Sequence, residues 1–251
     1  MAQLHQLLLV THISVGALAL LILWIPALSR KGSPLHIRSG RWYVWAMYTV
    51  SISAFVMCIL SLADPIGVRF GDREFSAERA ADIAAQLRRF SLFLLLLSIL
   101  VFASLRHGIL VLKVRANREQ LRTPLHIALM TSLVVAAIAV GIVGLMAGQT
   151  LLIAFSLVGL FGGVGMFRYS FKKEISRKEW VIEHLGSLIG SAIGANTAFF
   201  VFGGSRYLGE VFSGQWMLIP WLAPAVIGTV IIAVLSRRYR KRFAPRTAKA
   251  Q

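Results

Sequence analysis

Seven uninterrupted apolar stretches, each about as long as a helix that crosses a bilayer, occupy most of the 251 residues. A hydrocarbon core of about 30 Å takes roughly 20 helical residues at about 1.5 Å each. On that ruler the spans read as 6–28, 42–63, 90–112, 126–147, 149–168, 180–202 and 216–236. The runs are apolar on all sides rather than alternating, which excludes barrel strands and predicts an all-α bundle of seven transmembrane helices. Composition agrees: 57% of the residues are hydrophobic, 15% are charged and the mean hydropathy is +0.72. That is too little charge to coat a water-facing surface. One transmembrane domain over 1–251 is expected, without a linker, a low-complexity segment or an evident repeat.

Basic residues test the count. With the N-terminus outside, 21 of the 27 Lys and Arg fall on the inner side, in clusters around Arg30–Arg41, Arg106–Arg122, Arg168–Lys178 and Arg237–Lys249. Only Arg69, Arg73, Arg79, Arg88, Arg89 and Arg206 fall outside. This is the positive-inside pattern, and it predicts an N-out, C-in topology. The same placement accounts for the formal net charge of +17 without nucleic acid, because the excess sits beside helix ends where orientation signals and anionic headgroups explain it. The first run is read as an uncleaved helix, since no basic region precedes it and Arg30 and Lys31 follow it. Cys58 is the sole cysteine, so no disulfide forms within the chain.

The one sizeable connection, 64–89, opens turn-rich at Asp64, Pro65, Gly67 and Gly71; Ser76 then caps an outer helix leading into the third span. In the sixth span Gly186, Gly190, Gly194 and Ala198 recur four apart, a small-residue ladder that admits a neighbouring helix. Gly159, Gly162, Gly163 and Gly165 thin the fifth span in the same way.

Ionisable groups at membrane depth cost several kcal/mol unless paired or wetted, so they turn inward and mark candidate sites. Glu183 and His184 lie about one turn inside the sixth span, and His12 lies one to two turns below the outer surface. His107 closes the third span, His126 opens the fourth and His36 stands in the first inner loop. Glu183 and His184 are expected to face the bundle interior, with His126 or His36 as the nearest ionisable neighbours.

Four sets of residues make the chain resemble a family of bacterial multi-pass membrane proteins catalogued as a domain of unknown function. These are His12-x-x-x-Gly16; Lys31-Gly32-x-x-x-His36-x-x-x-Gly40-x-x-Tyr43-x-x-x-Met47; Glu183-His184-x-Gly186 leading to Thr197-Ala198-Phe199; and Trp221-Leu222-x-Pro224-x-x-x-Gly228. The resemblance covers most of the chain and implies a bacterial inner-membrane protein in which His12, His36 and His184 match the family pattern. It brings no established activity.

The residues leave three readings open. A redox protein would hold a b-type haem near the inner side on His184, His126 and His107, with Met130 a substitute ligand one turn from His126. His12 cannot share that iron, since it differs from His184 by roughly 15 Å in depth. A small-solute or proton-coupled carrier would pass protons through Glu183, His184 and His12, although no inverted repeat is evident. A structural or assembly role is the third. A retinal protein is excluded because 216–236 contains no lysine for a Schiff base, and a zinc hydrolase lacks HExxH or a similar fixed spacing. No catalytic residue is indicated. The partners expected are the lipid bilayer and a second copy or another membrane component, not nucleic acid.

Overall fold

The computed structural model describes residues 1–115, 117–176, 178–203, 216 and 218–243. Eight α-helices follow in order: α1 (Ala2–Leu28), α2 (Pro34–Ala63), α3 (Pro65–Phe70), α4 (Ala77–Val114), α5 (Pro124–Ala147), α6 (Thr150–Phe171), α7 (Glu179–Ala198) and α8 (Leu218–Phe243). A 3₁₀ turn, Arg118–Leu121, precedes α5, and α7 runs on into a π turn, Phe199–Gly203. All but α3 are long and apolar enough to cross a membrane, which makes seven candidate spans. No strand occurs among the described residues.

Two helices, α2 and α4, start eight or more residues earlier than hydropathy predicts, and capping explains both. The N–H of His36 donates to the Ser33 hydroxyl at 3.2 Å and Pro34 occupies the first turn, so α2 begins eight residues before the apolar run at Trp42. Ser76 caps α4 through the N–H of Arg79 at 3.4 Å. The polar segment from Ala77 therefore continues into the apolar one as a single 38-residue helix, about 57 Å long. The turn-rich start of the connection is helical as well: the Asp64 carboxylate accepts from Gly67 N–H at 2.9 Å to open α3, and Gly71 closes it at φ 63°.

The helices form two compact units, Met1–Leu105 with Ala128–Gly165, and Arg106–Ile127 with the described part of Met166–Gln251. In the first, α1 packs along α2. Phe93, Leu96, Met130 and Leu133 are fully buried there, and the Phe93 and Phe155 rings meet edge to face at 5.3 Å. Gly159 permits this approach, for a Cβ on it would lie 3.0 Å from Leu96 and 3.2 Å from Ala137. The sixth-span ladder behaves differently. In the second unit a Cβ on its first member, Gly186, would make only an ordinary 3.8 Å contact with Ile232, and a closer approach occurs on α8, where Gly228 receives the Ile193 side chain.

Candidate functional site

The site grows out of a glycine and a short loop in the second unit. At Gly108, next to His107, α4 comes so near α7 that a Cβ would overlap the Leu188 side chain and lie 2.9 Å from Ser187 Cβ. That proximity brings the α7 residues Glu183 and His184 to the end of α4. Beyond Val114 the chain turns through Arg115, at φ 49°, and the 3₁₀ turn, then re-enters as α5 with His126 in its first turn. Val111, Val114, Leu121 and Tyr169 form the apolar plug under this loop. Two arginines fasten the loop by capping the C-terminal carbonyls of α6: Arg122 Nε donates to Ser170 O at 3.2 Å, and Arg118 donates to Lys173 O at 2.8 Å. Arg122 also lies 4.9 Å over the Phe171 ring.

Within this frame His126, His107 and Glu183 form a hydrogen-bonded chain. His107 Nδ1 lies 3.0 Å from His126 Nε2, and His107 Nε2 lies 3.1 Å from Glu183 Oε1. The two imidazole planes lie within 12° of each other with centroids 5.3 Å apart, so the rings meet end to end through their nitrogens; both are fully buried, whereas the Glu183 side chain is 29% exposed. His184 turns the other way and its Nδ1 donates to the Gly108 carbonyl at 3.0 Å, tying α7 to α4 a second time. Glu183 and His184 are both half-buried, and α7 has neighbours in α4, at Gly108, and in α8, where Gly228 meets Ile193. The hydrogen-bonded neighbour of Glu183 is His107, with His126 behind it.

Beside Glu183 opens a cavity of about 290 Å³ lined by Arg168, Tyr169, Lys172, Glu179 and Glu183. Lys172 is engaged, donating to Glu179 at 2.7 Å, while Glu179 also accepts from the N–H and hydroxyl of Ser176. The Tyr169 ring stands edge-on to His107 at 5.8 Å, and its buried hydroxyl finds no partner among the described residues. The same is true of His126 Nδ1, the far end of the chain.

The hydrogen-bond inventory of imidazole allows two states of this chain in which both of its internal bonds are made. With Glu183 ionised, His107 Nε2–H donates to it, and His107 Nδ1 accepts from His126 Nε2–H. A proton arriving at His126 Nδ1 lets both shared protons shift one bond along, leaving Glu183 protonated and donating to His107. Every bond survives with its polarity reversed, so the two states differ by one proton and by no lost hydrogen bond.

The other sequence candidates have local roles. His12 belongs to the first unit, where its Nδ1 lies 3.0 Å from the Val50 carbonyl and 3.1 Å from Ser53 Oγ, joining α1 to α2. His36 and Lys31 converge on the Pro26 carbonyl at 3.0 and 2.7 Å, capping the end of α1. Haem ligation fits His107 and His126 poorly, because their facing nitrogens are committed to each other and the remaining His107 nitrogen to Glu183. Among the described residues no three His, Cys, Asp or Glu side chains are grouped to hold a metal ion. Sequence reasoning passed over Tyr169, which carries no pattern, and Gly108, whose position beside a buried histidine was a readable sign of close helix approach. Compared with family models, curated proteins and solved structures, the chain matches none.

Proposed function

We propose that this chain is a proton-coupled membrane carrier of a small solute, with His126, His107 and Glu183 as its proton relay. The observation that supports it is the unbroken chain of two bonds from a buried imidazole to a carboxylate that opens on a cavity. A group that only stiffens helix packing needs one satisfied state. This one has two that differ by a proton, which is what coupling requires. The one-sided distribution of basic residues supports an N-out, C-in orientation, in which the relay lies at the cytoplasmic end of the bundle.

The test is electrical. Proteoliposomes on a solid-supported membrane, given an inward proton gradient and jumps of small organic anions, cations and sugars, should show a solute-dependent current. Glu183→Gln and His107→Gln should abolish it, and His12→Ala should leave it. Wild-type currents from both relay variants, or none above protein-free liposomes across the panel, would refute the carrier. A Soret band in the purified protein would return the redox reading.

A further inference from the structure

We infer that the cavity beside Glu183 binds an oxyanion, a carboxylate or phosphate group, together with the relay proton. The inference rests on the carrier reading and names the class of its solute. Lys172 and Glu179 cancel each other as an ion pair. This leaves the Arg168 guanidinium, exposed and without a hydrogen bond or ion pair among the described residues, facing the same space as Glu183. While Glu183 is ionised the lining carries no net charge. Once the relay delivers its proton, Arg168 is uncompensated and the lining has a net charge of one positive unit. An anion is then attracted, and by linkage the anion favours the protonated relay to the same degree.

The Tyr169 hydroxyl is the second observation. It is buried, with no surface of its own open to the cavity that Tyr169 helps to line, and has no partner among the described residues. A buried hydroxyl without a partner is destabilising, and an oxyanion held by Arg168 would offer it an acceptor once the ring shifts toward the cavity. The groups around the relay are Arg106 and His107 from α4, His126 from α5, Arg118 from the connecting turn, Arg168, Tyr169 and Lys172 from the end of α6, and Glu179 and Glu183 from α7. The relay is the part of this set that takes up the proton, so it is what switches the site. At about 290 Å³ the cavity stands at the lower end of ligand-site volumes and suits a small anion or a single headgroup.

The experiment separates a free anion from a lipid headgroup. Sodium lactate is titrated calorimetrically into the protein in phosphatidylcholine nanodiscs, in two buffers of different ionisation enthalpy, so that the linked proton is counted. Expected is saturable binding with uptake of up to one proton, at least tenfold weaker in Arg168→Gln and several-fold weaker in Tyr169→Phe. Glu183→Gln should bind with no proton uptake. If the resident anion is a headgroup, adding phosphatidylglycerol weakens lactate binding about tenfold in the wild type and not in Arg168→Gln. Arg168 is exposed, so its variant should keep the wild-type thermal midpoint, and Arg168→Lys should keep most of the affinity. No lactate binding and no phosphatidylglycerol effect on the relay, or equal binding by Arg168→Gln, overturns the inference. Relay-dependent currents carried only by cations or neutral solutes would overturn it while leaving the carrier intact.

Discussion

Replacing Gly108 by alanine asks whether helix proximity or side-chain chemistry holds the relay together. The new methyl would overlap the Leu188 side chain, which can turn away, and would lie 2.9 Å from Ser187 Cβ, which moves only with its helix. Carbon atoms rest at about 3.5–4.0 Å, so α4 and α7 must part by roughly 0.6–1.1 Å at this level. The same displacement would stretch the 3.1 Å bond between His107 and Glu183 to nearly 4 Å, beyond hydrogen-bond range. Overpacking costs about 1–3 kcal/mol and the bond to a charged group about 1.5–3 kcal/mol, the latter reduced by the partial exposure of Glu183, for a total of about 2–4 kcal/mol. The assay is reversible unfolding in mixed micelles, followed by tryptophan fluorescence, for Gly108→Ala, Glu183→Gln and the double variant. If the methyl acts by pulling the bond apart, Glu183→Gln should cost much less in the alanine background, a coupling of about 1 kcal/mol or more. Costs that add within about 0.5 kcal/mol would show that the close approach at Gly108 does not position the relay.

Three further outcomes are expected. A reporter fused after Gln251 should be active only in the cytoplasm and one inserted at Gly71 only outside; a periplasmic C-terminal signal would reverse the orientation. Gly228→Leu should destabilise the protein by about 1–3 kcal/mol in the same unfolding assay, since Ile193 already fills the space above Gly228, whereas Gly165→Ala, which meets nothing within 4 Å, should be close to neutral. Asp64→Ala should cost about 1 kcal/mol by removing the cap on Gly67, read as faster amide exchange across Pro65–Phe70 with little change at α7.

The sequence alone determined the class of the molecule, because lipid leaves a chain few options. Backbone polar groups must be satisfied within each crossing segment, so a long apolar run is a helix whatever its neighbours are. All seven spans are helical for that reason, and they differ from expectation mainly where Ser33 and Ser76 carry a helix into polar sequence that hydropathy does not register. That Glu183 needs a polar partner was legible too, since a carboxylate at membrane depth must find one. Which partner it finds was not. Residues 107, 126 and 183 lie on three helices with no shared spacing, and hydropathy is blind to the rotation of a helix about its axis. Rotation and approach are settled by packing at a few small residues, here Gly108 against Leu188 and Gly228 against Ile193. Only the tertiary structure therefore decided that His107 bridges His126 to Glu183 while the adjacent His184 turns to a backbone carbonyl. Neighbours in a helical sequence point about 100° apart, and the surrounding helices determine which of them meets a partner.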